Sequence, residues 1–185
     1  LMLYLALLQK WNRIYNLTAI RERSKWVSHH LLDSLAVVPH LQEGSVVDIG
    51  TGAGLPGIPL AIAQPLRRVT LLDSNHKKGA FLQQAKIECG LENCSVHVGR
   101  AEDWKPREPL DGAISRAFSD LSGFVEATRG VVRPGGWLAA MKGVHPDEEL
   151  VQLPAGVRVS RILPLQVPRL RAARHLVLMN LTPSE

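Results

Sequence analysis

The stretch VVDIGTGAGLPGIP, residues 46–59, limits what this chain can fold into more than any other. A short run, Ser45-Val46-Val47, leads to the acidic Asp48, and Gly50, Gly52, Gly54 and Gly57 follow closely. Glycines that dense after a buried strand let the backbone turn sharply and approach a ligand more closely than any Cβ permits. Pro56 and Pro59 stand where a helix should open, and proline suits a first helical turn because those amides lack intrahelical partners. The pattern predicts a strand, a nucleotide-cradling loop and a helix.

Two cofactor classes fit such a loop. Gly52-Ala53-Gly54-Leu55-Pro56-Gly57 matches the dinucleotide fingerprint GxGxxG, a weak signal alone. The frame that begins earlier, Asp48-x-Gly50-x-Gly52-x-Gly54, resembles the first motif of class I S-adenosyl-L-methionine (SAM) methyltransferases, where the acid lies near the cationic methionine end of the cofactor. Both classes expect an acid after the next strand to hold ribose hydroxyls. Asp73, at the end of Arg68-Val69-Thr70-Leu71-Leu72, supplies it and does not choose between them.

The rest of the chain narrows the choice. At 185 residues and 45% hydrophobic, it predicts one soluble domain with a full core. Two cysteines, Cys89 and Cys94, form no disulfide framework or metal cluster, which points to a reducing cytoplasm. The apolar run at residues 1–8 is too short to span a bilayer and reads as one face of an amphipathic helix. Because the chain opens on leucine, further residues upstream are expected. The net charge of +5 is uneven: +3 over residues 1–33, −2 over 34–149 and +4 over 150–185. Basic ends on a near-neutral middle suit a polyanionic substrate laid across a cofactor-binding core, or simply a solvated surface.

Strand-like runs near 45–49, 68–73, 94–98, 111–115 and 136–141 alternate with helical patterns. Phe81, Leu82, Ala85 and Cys89 recur at helical spacing, with Gly90 as a stop. Such alternation predicts a mostly parallel sheet with helices on both faces. Residues 157–162 and 175–179 leave no room for a helix between them and read as a terminal antiparallel pair. In such sheets ligands bind beyond the carboxyl ends of the strands. Those ends carry Asp48-Ile49-Gly50, Asp73-Ser74-Asn75, Arg100-Ala101-Glu102 and Ser115-Arg116. Asp73 or Ser74 could instead cap a helix, and Glu102 could be a solvated surface acid.

Taken in order, WNRIYNLTAI (11–20), HHLLDSLA (29–36), DIGTGAGLPGIPLAI (48–62), LLDSNHKK (71–78), RAE (100–102), ISRAF (114–118) and MKG (141–143) resemble the family of 16S ribosomal RNA guanine 7-methyltransferases, also called glucose-inhibited division protein B. The resemblance implies a class I, Rossmann-like methyltransferase fold: a mostly parallel seven-stranded sheet with the antiparallel pair at its end. Residues 1–40 would form a small helical portion packed on a core of residues 41–185. It implies SAM as cofactor, held by Asp48, Gly50, Gly52, Gly54 and Leu55 in the loop. Asp73, Ser74 and Asn75 would lie near the ribose, and Ala101 and Glu102 beside the adenine. Arg116 would stand where methyl donor and acceptor meet. Partners would be 16S ribosomal RNA or the small subunit, for a cytoplasmic monomer without membrane association.

What the site lacks bears on the chemistry. The Asn/Asp-Pro-Pro-aromatic motif of exocyclic-amine methyltransferases is replaced by Ser115-Arg116-Ala117-Phe118. Carbon-5 methylation of pyrimidines needs a cysteine nucleophile, and neither cysteine falls at the rim. An acceptor with its own lone pair remains, such as the imidazole nitrogen of guanine, and it needs no general base. Lys142 and the loop arginines Arg169, Arg171 and Arg174 are candidate phosphate ligands; Lys142 could equally be solvated. His29, His30 and Asp33 read as a hydrogen-bonded join rather than a metal site, the four tryptophans as core, and Lys77-Lys78 as an exposed first helical turn. A small-molecule methyltransferase or a non-catalytic RNA-binding assembly factor on the same fold are the alternatives.

Overall fold

The apolar runs become the strands of one sheet. In the computed structural model, which describes residues 1–116 and 118–183, seven strands follow the order β3-β2-β1-β4-β5-β7-β6. They are β1 (Val46–Ile49), β2 (Val69–Asp73), β3 (Cys94–Val98), β4 (Leu110–Arg116), β5 (Val132–Lys142), β6 (Val157–Pro164) and β7 (His175–Leu181). Strands β1 to β5 pair in parallel, while β7 runs antiparallel to both β5 and β6. The seven-stranded, mostly parallel sheet and its antiparallel end are as the sequence predicts. Ala117, the third residue of the SRAF motif, lies outside the described residues, as do Ser184 and Glu185.

Alternation along each strand splits the core into two layers. Val46, Leu71, Ile114, Ala139 and Leu176 face one side, and Val47, Ile49, Leu72, Ala113, Leu138 and Val177 face the other. The first layer packs under α1 (Met2–Tyr15), α3 (Gly57–Ala63) and α4 (His76–Glu88), through Tyr4, Leu8, Ile58, Leu60, Phe81 and Leu82. Leu17, Trp26, Leu31 and Val37 join that same cluster, so residues 1–40 share the core of the sheet. Trp26 and Trp137 are buried, and their indole N–H groups donate to the carbonyls of Ile20 and Glu43. A π-helical stretch, Val27–Leu32, runs directly into α2 (Asp33–Leu35).

The second layer is covered by α5 (Leu121–Thr128), with Leu150 of the short α6 (Asp147–Val151) against it. Here the alternation of strand and helix breaks. Residues 99–109 pass from β3 to β4 with turns alone. Pro106, Pro109 and the charged residues among them carry no apolar helical period, and Ala101, Trp104 and Leu110 cover the second layer instead.

Gly112 pairs with Trp137 across β4 and β5, and a Cβ on Gly112 would lie 2.1 Å from the buried indole. Gly112→Ala is therefore expected to cost about 1–3 kcal/mol of stability through overpacking. Urea unfolding measures it, and an unchanged midpoint would show that the indole can shift.

Candidate active site

At the carboxyl end of β1 the chain turns back over the sheet, and two acids hold the turn. Asp48 ends up fully buried beneath it, because the strand points that side chain into the first layer. Its Oδ2 accepts hydrogen bonds from the Thr51 hydroxyl and, at 2.7 Å, from the Gly57 amide. Asp73 Oδ2 accepts from the Gly52 amide at 2.8 Å, and its Oδ1 from the Asn75 amide at 2.9 Å. From the amino-terminal side, the Tyr4 hydroxyl donates to the Ala53 carbonyl at 2.7 Å. The phenol is fully buried, and burial raises its pKa.

The glycines divide by role. Gly50 and Gly52 take positive φ, +66° and +60°, and a Cβ on Gly50 would meet nothing within 4 Å. For Gly52 the nearest atoms would be 3.9 Å away. Both edges face open space. Gly54, also at positive φ (+84°), and Gly57 are packing positions: a Cβ would fall 2.4 Å from Ile58 Cδ1 in one case and 2.2 Å from Leu71 Cδ2 in the other.

Two cavities meet at Gly50. One, of about 350 Å³, is walled by Asp73, Ser74, Ala101, Glu102 and Phe118. The other, of about 820 Å³, is walled by Gly52, Leu55, His30, Arg116, Met141 and Arg174. Lys78 and Phe118 border both. A third cavity, about 410 Å³, sits at the opposite ends of the strands beside Arg68 and Asn93, and none of the candidate residues lines it.

Gly50, Gly52, Leu55, Asp73, Ser74, Ala101, Glu102 and Arg116 thus line these two cavities. Three other candidates play supporting parts. Asp48 and Gly54 line neither cavity and shape the loop from beneath. Asn75, not Asp73 or Ser74, caps α4: its Oδ1 accepts from the Lys77 and Lys78 amides. Ser115 is locked inward by donating to the Ile49 carbonyl at 2.7 Å.

The basic candidates also separate. Arg116 Nη1 lies 3.2 Å from Asp33 Oδ2 and donates to the His29 carbonyl at 2.9 Å. Arg174 Nε lies 2.9 Å from Asp33 Oδ1. Lys142 lines the larger cavity with its ammonium 2.7 Å from Glu149 Oε2, and the side chain is 12% exposed. Arg169 and Arg171 are exposed. The His29–Asp33 segment is the hydrogen-bonded join expected, with Thr18 Oγ1 at 3.1 Å from His30 Nε2. Among the described residues no group of three or more His, Cys, Asp or Glu side chains could hold a metal ion.

Sequence reasoning missed Lys78 and Tyr4. Lys78 lies a turn beyond the Asn75 cap and leans back toward the loop, its Nζ 3.6 Å from Asp73 Oδ2. The cap marks where the helix starts and so gives a trace of that direction. Nothing local to Tyr4 announces its contact with Ala53.

Strand order, glycine turn and acid-tipped second strand together define a class I methyltransferase fold. Solved structures agree. A SAM-dependent methyltransferase from Aquifex aeolicus superposes with a TM-score of 0.64 at 21% identity, over 93% of this chain and 97% of that one. The O-methyltransferase TomG from Streptomyces achromogenes, solved in complex with SAM, gives 0.65 at 18% identity, over 97% and 89%. The family model for rRNA small subunit methyltransferase G matches residues 1–177, and the chain belongs to that family. Ribosomal RNA small subunit methyltransferase G of Chromobacterium violaceum is 55% identical over 96% of this chain and 86% of its own length.

Two buried groups here titrate in opposition. Burial pushes the Asp48 carboxyl up to about 7, although the Thr51 and Gly57 hydrogen bonds pull it down. Burial first, and the Arg116 charge second, lower the His30 imidazole to about 4. Folded Asp48 keeps a proton that the unfolded chain releases around its ordinary value of 3.8, so its burial costs stability as pH rises from there to about 7. Folded His30 refuses a proton that the unfolded chain takes up near 6.5, so its burial costs stability as pH falls from there toward about 4. Asp48→Asn removes only the first. Its melting temperature relative to the parent should climb as pH rises from about 4 to about 7; a difference flat with pH would place the Asp48 ionisation elsewhere.

Proposed function

We propose that this protein transfers a methyl group from SAM to the 7-position ring nitrogen of a guanine in small-subunit, 16S ribosomal RNA. Family membership supports the reaction class. The observation that carries the cofactor reading is the open edge at Gly50 and Gly52, where backbone lies bare between two joined cavities. That edge admits a long, bent ligand: a nucleoside in the smaller cavity and an amino-acid tail in the larger. Asp73 retains acceptor capacity for ribose hydroxyls beyond the two amides it already holds. The Ala101 amide and the Glu102 carboxylate flank the place for adenine. Bound SAM supplies an electrophilic methyl on a sulfonium.

The residues of this chain have little proton chemistry to perform. Guanine N7 owns its lone pair, so no base must act. Methylation moves one positive charge from sulfur to the purine without creating another. Catalysis then consists of alignment and exclusion of water. Phe118, bordering both cavities, offers an aromatic wall at the meeting point, and Arg116 offers hydrogen-bond donors there. His30 stays neutral near pH 7 and adds no charge. The exposed Arg169 and Arg171 and the basic segment around Arg21, Arg23 and Lys25 suit the phosphates of RNA. A cytoplasmic monomer fits this reading.

Mapping of modified nucleotides in small-subunit ribosomal RNA, with and without the protein, tests the reaction; no gain of 7-methylguanine overturns it. Calorimetry tests the cofactor. SAM should bind and NAD should not, and Gly52→Val should abolish binding through a branched side chain on the bare edge. Asp73→Ala should weaken binding by about 1–3 kcal/mol. Tight NAD binding without SAM heat would reverse the assignment.

Affinity for RNA should fall steeply with salt, each lost phosphate contact removing about 0.7 from the magnitude of the log–log slope. Arg169→Ala with Arg171→Ala should flatten that slope and leave SAM affinity unchanged, because neither residue lines the cavities. A slope that stays as steep would assign those two arginines to plain solvent and shift the RNA path to the amino-terminal lysines and arginines.

A further inference from the structure

One carboxylate joins three segments that the chain keeps far apart. Asp33, on α2, is 2% exposed, and both of its oxygens are engaged. Oδ2 meets Arg116 at the end of β4, and Oδ1 meets Arg174 in the basic loop before β7. The His29 carbonyl, within the π-helical stretch that leads into α2, takes the same Arg116 Nη1. Arg174 Nη1 is held in turn by the Ala173 carbonyl. Each guanidinium keeps nitrogens with no protein partner among the described residues: Nε and Nη2 of Arg116, and Nη2 of Arg174. The two side chains are 23% and 22% exposed, and both wall the 820 Å³ cavity.

We propose that Asp33 is the positioning residue of the methyl-transfer site, fixing Arg116 at the cavity wall and tying the RNA-facing basic loop to it through Arg174. This rests on the reading of that cavity as the place of methyl transfer. A long arginine side chain alone would sweep many rotamers. Held through one edge by a carboxylate and a backbone carbonyl, its planar fork presents the other edge at a set angle. Two guanidiniums converging on a cavity wall would also repel, and the carboxylate between them leaves one net positive charge facing a polyanion. The same carboxylate thereby holds the arginine at the end of β4 and the arginine just before β7 in one ion-pair cluster.

The experiment compares Asp33→Asn, Asp33→Glu, Arg116→Ala and the double variant Asp33→Asn with Arg116→Ala. Thermal unfolding, SAM calorimetry and steady-state methylation of unmodified small-subunit ribosomal RNA are measured for each. Asp33→Asn should lower kcat between ~10- and ~100-fold, as for a misaligned catalytic group. Its SAM affinity should stay within about twofold, and in the Arg116→Ala background it should lower kcat by no more than about twofold further. Asp33→Glu keeps the charge but displaces both arginines by a methylene, so it should fold and show a partial loss of kcat; it decides the matter if the asparagine variant does not fold. A parental kcat in either Asp33 variant, a change confined to KM, or losses that multiply in the double variant would each overturn the proposal. A parental kcat in Arg116→Ala would instead overturn the reading of the cavity itself.

Discussion

The carboxylates at the ends of β1 and β2 hold the backbone that everything at the rim depends on. Asp48 takes the Gly57 amide from beneath, Asp73 takes the Gly52 amide from the side, and between them the loop has one permitted path. Amides left over where a strand stops and a helix has not begun must find acceptors, and here side chains provide them. Placing Asp48 there costs solvation, which is why its carboxyl is pushed up to about 7; its Oδ1 has no hydrogen-bond partner among the described residues. The bare edge at Gly50 and Gly52 exists because the loop is pinned elsewhere.

The amino-terminal segment takes part in that pinning. Its helix packs Tyr4, Leu5 and Leu8 into the first core layer, and the Tyr4 hydroxyl donates to the Ala53 carbonyl in the loop. Its second contribution is Asp33, which binds the end of β4 and the loop before β7. Residues 1–40 thus form one wall of the larger cavity, through Thr18, His29 and His30.

Charge at the site is governed by pairing more than by composition. The two ends of the chain hold the excess of arginine and lysine, yet the basic residues that line the cavity are partly committed to acids: Arg116 and Arg174 to Asp33, Lys142 to Glu149, Lys78 to Asp73. Arg169 and Arg171, by contrast, are exposed.

The sequence by itself determined the strands, their parallel order up to the antiparallel end, and the turn after β1. Those features are local: a period of two, a period near four, and glycine and proline where dihedral angles demand them. The polar strand ends were legible too, because topology puts them all on one rim. Only the tertiary structure decided which of them face the cavities. Asp48 and Gly54 belong to the same motif as Gly50 and Gly52 yet point into the core, a matter of which side of a turn each occupies. Asn75 proved to be a helix cap, and Arg174 found an acidic partner, Asp33, that lies far from it in sequence. The contacts of Tyr4 with Ala53 and of Asp33 with Arg116 and Arg174 close loops of 49, 83 and 141 residues. No local pattern encodes such pairs, because their energy is realised only after the sheet has brought the segments together.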